Sequence, residues 1–168
     1  MKTVVTIVLV LAFVAFGSVR ELSAQATVSS FMLVPGIKGE SKDAKHKDWI
    51  DLISISETLD QVTRKKTACE VQVTKFLDSS GPLLWAAAVT GQVFPEIQIE
   101  VQRTNATQLV VYQIRMANAV VTSISTSSNG TFPIDSVTLS ANSAILTYTP
   151  QNPDGSPASP VTANLNCN

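Results

Sequence analysis

Residues 31–56 read FMLVPGIKGESKDAKHKDWIDLISIS, and the architecture follows from how this stretch divides. An apolar, strand-like run over 31–34 stops at Pro35-Gly36, because proline cannot donate to a strand ladder and glycine tolerates positive φ. A polar connection follows, with Gly39, five charged residues between Glu40 and Lys47, and His46. The chain re-enters a β-type run at Trp49, Ile50, Leu52, Ile53 and Ile55. About a dozen polar residues are too many for a tight hairpin, and long connections in compact domains are often functional. The extended loop 36–48 is therefore the first candidate for the working surface.

Outward from this loop the pattern stays β. Cys69, Val71 and Val73 alternate with Glu70, Gln72 and Thr74, the period of a strand with one wet face. Ile97, Ile99 and Val101 alternate with Glu96, Gln98, Glu100 and Gln102 in the same way. Residues 109–124 form a long β-branched run with Val110, Tyr112, Ile114 and Met116 on one face. Val137 and Leu139, then Ile145, Leu146 and Tyr148, complete the strands, with turns at Asn129-Gly130 and Asp154-Gly155. One helix interrupts them. Asp78-Ser79-Ser80 offers capping oxygens, Pro82 suits the first turn, and Gly91 the stop. Leu84, Ala87 and Ala88 fall on the face that packs. A lone helix among many short strands points to a sandwich or barrel rather than a parallel α/β sheet.

Composition narrows the function. The chain is 45% hydrophobic and 15% charged, with a formal net charge of −1 and pI near 5.8. Nucleic-acid binding calls for clustered Lys and Arg, and the one basic run, Arg64-Lys65-Lys66, is short and reads as a solvated loop. No enzyme is expected. His46 is the sole histidine and nothing in the sequence positions a nucleophile beside it. Glu96 and Glu100 on one strand face are separated by roughly 13 Å, beyond the roughly 5–9.5 Å of a glycosidase pair. They read as a solvated or lumen-facing row. One histidine and two distant cysteines give no zinc pattern, and no cofactor is expected.

The N-terminus has the three-part plan of a secretory signal peptide: Lys2, an apolar run over 4–16, then small residues to Ala24-Gln25-Ala26. The apolar run is short of the roughly 20 residues that span a bilayer. Cleavage is expected after Ala26, giving a secreted or periplasmic single domain over 27–168 with no membrane contact. Cys69 and Cys167 both survive cleavage, and an oxidising compartment favours a disulfide between them. The alternative is a buried strand thiol and an unrelated tail thiol. Asn105-Ala106-Thr107 and Asn129-Gly130-Thr131 are formal glycosylation sequons, relevant only in a eukaryotic host.

The order I-x-G-E-S-x-D-x-x-H-x-x-W-I, from Ile37 to Ile50, resembles the signature loop of the haemolysin-coregulated protein (Hcp) family, which forms the tube of bacterial type VI secretion systems. Val73-Thr74-Lys75, Asp78, Ser80, Leu83-Leu84 and Gly91 follow that family's helix entry and exit. Residues 146–151, LTYTPQ, with Asp154-Gly155, match its closing strand and the tail over 150–168. The resemblance implies a β-barrel of two packed antiparallel sheets with a short α-helix at its side. It also implies a non-enzymatic subunit of homohexameric rings, with their stacking left open, that is exported and carries effectors in the lumen. Its partners would be itself, effector proteins and other secretion components. Mixed charges in the loop suit a complementary partner surface, so Gly39, Glu40, Ser41, Asp43, His46 and Trp49 are expected at a subunit interface, with the loop projecting from a base anchored by Trp49 and Ile50. Tube proteins of this family normally lack a signal peptide. The alternative is accordingly a secreted or periplasmic binding module of the same fold, unrelated to a type VI apparatus; a secreted hydrolase is a third reading.

Overall fold

The computed structural model describes residues 27–61, 67–104 and 108–167. Residues 1–26, read as a signal peptide, the basic run Arg64-Lys65-Lys66 and the sequon at Asn105 lie outside the described residues. Among the described residues, nine antiparallel strands and one helix follow in the order β1 (Thr27–Leu33), β2 (Ile50–Leu52), β3 (Ser54–Gln61), β4 (Thr67–Phe76), α1 (Gly81–Thr90), β5 (Val93–Thr104), β6 (Gln108–Ser127), β7 (Ile134–Ala141), β8 (Ser143–Tyr148) and β9 (Val161–Asn166).

The hydrogen-bonded order is β2-β1-β5-β6-β7-β4-β3, with β8 added on β6 and β9 on β8. The strands thus form one nine-stranded sheet that branches at β6. Its first half runs between β5 and β8, with Ile114 opposite Ile99 and Leu146; its second half pairs with β7 from Val120 to Ser127. The ends of the order, β2 and β3, are separated in sequence by Ile53 alone, so the covalent chain closes the circuit. Ile53 itself donates its N–H to the Thr74 carbonyl at 2.7 Å. The hydrogen-bonded sheet stays open between β2 and β3, and this bend brings its two ends together into a barrel-like fold. The segment read as a tail also contributes structure, because β9 pairs with β8 along its whole length.

The strands form where alternation and β-branching agree. Strand β7 alternates without exception between half-buried and buried positions, and β4 puts Val71 and Val73 inward against Leu139 and Val137. On β6 the inward phase slips by one between Met116 and Ala119, at Asn118, whose φ of 50° lies in the left-handed region that Asn tolerates better than most. The core so enclosed includes Met32, Ile50, Val73, Ile97, Ile99, Ile114, Met116 and Leu139.

Helix α1 buries Leu84 and Ala87 on β6, as its sequence spacing predicts, and stops at Gly91 with φ 62°. Its start differs from expectation. Ser80 makes no capping bond to the helix. Its N–H and hydroxyl both point back to Asp78 Oδ1, at 2.9 and 2.5 Å. Asp78 is the anchored oxygen because Lys75 already holds it, at 2.7 Å.

Candidate functional site

The loop between β1 and β2 folds back onto its own barrel instead of projecting. A Pro35-Gly36 turn, with Gly36 at φ 81°, reverses the chain and brings the Ile37 N–H to the Val34 carbonyl at 3.0 Å. The two arms of the loop then pair with each other: Gly39 N–H donates to the Asp48 carbonyl at 2.9 Å and Ser41 N–H to the Trp49 carbonyl at 3.0 Å. Gly39 is required by proximity rather than by φ. A Cβ there would strike the Trp49 carbonyl oxygen and sit 2.6 Å from Ile50 Cα. Asp48 takes φ 63° to complete the return.

The loop is fastened by one buried cluster. Asp43 Oδ1 accepts hydrogen bonds from Lys45 N–H (2.9 Å), His46 N–H (3.0 Å) and the His46 ring at Nδ1 (2.7 Å). Its other oxygen accepts from Gln102 (3.2 Å) and Gln108 (3.3 Å). The second ring nitrogen of His46 lies 2.8 Å from Glu100 Oε2, and Gln113 donates to Glu100 Oε1 at 2.6 Å. The imidazole is stacked on Phe31, with centroids 4.1 Å apart and planes 6° from parallel, and meets the edge of Trp49 at 4.8 Å. Lys45 adds a bond to the Gln108 carbonyl at 2.7 Å. Each carboxylate faces a different ring nitrogen, so the imidazole is gripped from both sides. Burial pushes the Asp43 carboxyl up, but its bonds from His46, Lys45 N–H and Gln102 outweigh that and hold it at about 2.

The six loop residues of the sequence reading divide here. Gly39, Ser41 and His46 are buried within the chain; Glu40 is exposed, and Asp43 and Trp49 are half-buried. Their partners on β5 and β6 were not legible. Glu100 belongs to the row read as solvated or lumen-facing, and it grips His46. Gln102 stands on the wet phase of β5 until a register shift between Val101 and Gln102 turns it inward, where it is 1% exposed and reaches Asp43.

A second cluster lies where β4, β7 and α1 meet. Lys75 and Asp135 are register partners, both fully buried, with Nζ 3.2 Å from Oδ2. Lys75 Nζ also reaches Asp78 Oδ1 and the Phe76 carbonyl, each at 2.7 Å. Thr126 donates to Asp135 Oδ1 at 2.6 Å and accepts from the Trp85 indole at 3.3 Å. A signal for this was present: Lys75 continues the inward phase of Cys69, Val71 and Val73.

At the far edge, Cys69 of β4 and Cys167 just past β9 have Cα atoms 5.5 Å apart, within the span of a disulfide. Ala144 and Leu165 pack against them. Asn129 of the described sequon is exposed in the β6–β7 turn and accepts a bond from Thr131 at 2.8 Å.

The sequence of residues 31–148, more than half of the chain, matches the family model described as "Type VI secretion system effector, Hcp". The chain belongs to the Hcp family. The match begins at Phe31, the ring stacked on His46, and ends at the last residue of β8. Protein hcp1 of Pseudomonas aeruginosa is 28% identical over 141 residues, covering 76% of this chain and 87% of that protein. Among solved structures, Hcp1 from Salmonella typhimurium superposes with a TM-score of 0.71 at 21% identity, covering 83% of this chain and 94% of that one. A type VI secretion system effector from Yersinia pestis gives 0.70 at 20% identity, with 82% and 98% covered. At these identities the structural likeness speaks for the Hcp fold, and the family model for membership.

Proposed function

We propose that this Hcp-family chain is a non-enzymatic, ring-forming subunit that closes into homohexamers, stacks into a tube and carries effectors in its lumen. The observation that carries this reading is the fastened loop. Its backbone is fixed by the Asp43–His46–Glu100 cluster, while Glu40, Lys42 and Lys47 remain exposed on it. A rigid charged ridge loses little freedom on meeting a neighbour, which favours association. A head-to-tail contact of this type closes into a ring when the rotation permits. Native mass spectrometry at micromolar concentration is expected to give hexamers, and a strictly monomeric protein removes the reading.

The leader supports export of the chain with cleavage between Ala26 and Thr27. Thr27 is already paired with Thr104, so β1 is complete from that residue onward. N-terminal sequencing of exported protein should begin at Thr27. In that compartment Cys69 and Cys167 form a disulfide closing a loop of 98 residues, which stabilises by roughly 4–5 kcal/mol where unfolded-chain entropy dominates. Denatured, unreduced protein should titrate no free thiol; two thiols per chain would remove the bridge. The same leader favours the second reading, a secreted or periplasmic module of the same fold outside any type VI apparatus. Sheath and baseplate genes beside this gene support the apparatus, and their absence supports the module.

A further inference from the structure

Between the fastened loop and the end of β4 lies an open cavity of about 320 Å³, lined by Glu40, Asp51, Phe76, Leu77, Asp78 and Phe132. Phe76 and Phe132 meet edge to face, with centroids 6.0 Å apart and planes at 75°. Both are more than half exposed, at 54% and 61%. Two adjacent phenyl rings in water are an uncovered apolar surface, and such surfaces commonly mark contacts. The charge beside them is of one sign. Asp78 is held by Lys75 and Ser80. Glu40 accepts only the Ser79 N–H, at 3.1 Å, and neither Glu40 nor Asp51 faces a cation among the described residues.

These features select the chemistry of an occupant. An anion is repelled by Glu40 and Asp51. A purely apolar group would strip water from both carboxylates and return nothing. A cation on an apolar stem satisfies all parts, because aromatic faces attract ammonium and guanidinium groups and the stem covers the rings. The chain itself carries such groups on the exposed loop: Lys42 and Lys47 have no hydrogen-bonding or ionic partner among the described residues, whereas Lys38 is engaged by Asp48 and Lys45 by Gln108. We propose that the Phe76–Phe132 cavity of one copy receives a loop lysine, Lys42 or Lys47, of a second copy. This rests on the ring reading and names the contact that sets its register.

The test is a charge exchange between two full-length variants, Asp51→Lys and the double change Lys42→Glu with Lys47→Glu. All three sites are exposed, and an unchanged β-sheet circular dichroism spectrum verifies folding. Each variant alone is expected to need at least tenfold more protein than wild type to form rings in native mass spectrometry. Mixed one to one, they should form rings of three copies of each, since only alternating neighbours then place opposite charges together. Phe132→Ala should weaken the wild-type ring, and Phe132→Tyr should preserve it. A wild-type ring indifferent to both charge variants, or a mixture that assembles at random, overturns this occupant and leaves the ring reading standing. A wild-type chain that forms no ring removes both.

Discussion

The two charged clusters use the same ingredients and stand in opposite surroundings. At the loop, one imidazole is shared by Asp43 and Glu100, each 14% exposed at the side chain, and two aromatic rings flank it. At the junction of β4, β7 and α1, Lys75 and Asp135 are both at 0%. Water reaches both carboxylates of the first; in the second it reaches Asp78, 13% exposed, and not the Lys75–Asp135 pair. The loop cluster therefore holds a segment in place at modest desolvation cost, whereas the junction cluster is a commitment of the fold: remove one partner and the other is stranded.

Lys75→Met tests the larger half of that difference. It leaves Asp135 buried opposite an apolar side chain and should cost about 3–5 kcal/mol, read as a lower urea midpoint. Adding Asp135→Asn to Lys75→Met should recover part of the loss; a double variant no more stable than the single one would show that the charge itself is not the cause. His46→Ala comes next. It removes two charge-assisted bonds at a partly wet site, worth about 2–3 kcal/mol, and His46→Phe, which keeps a ring against Phe31, should lose less. If His46→Ala costs as much as Lys75→Met, the contrast in desolvation is broken.

The smallest effect is a pH dependence that belongs to the loop. Asp43 has a carboxyl held at about 2 in the fold against 3.8 ordinarily. A depressed carboxylate contributes stability that is present above its unfolded value and is lost as pH falls through the folded one. Denaturation midpoints should therefore decline between about pH 4 and pH 2, and Asp43→Asn should flatten that part of the decline. An unchanged slope in the variant would assign the acid sensitivity elsewhere.

The loop was legible because its signals are local: Pro35-Gly36 ends a strand, charges follow, and Trp49-Ile50 resumes the apolar run. The grip on it was not, because it comes from Glu100, Gln102, Gln108 and Gln113, more than fifty residues away, and one of these faces inward only through a register shift. Most of the strands and the helix followed from alternation and punctuation; β9, in the segment read as a tail, did not. Ser80 stands at the helix start without a side-chain cap because its hydroxyl turns back to Asp78, whose carboxylate a lysine buried three residues earlier fixes, a tertiary fact that capping preferences do not contain. The length of β6 was visible as a β-branched run, but its double duty was not, since pairing partners are set by the curvature of the whole ladder.

Ile53 has a consequence for how this chain tolerates change in length. The segment from Ile50 to Gln61 borders β1 on one side of Ile53 and β4 on the other. A residue inserted within β2 or β3 would shift one ladder by a position and send each inward side chain outward. The same residue inserted beside Ile53 could be taken up in the bend, with both registers intact. Insertions and deletions across this segment should therefore be confined to a single point, and that point is the corner of the barrel.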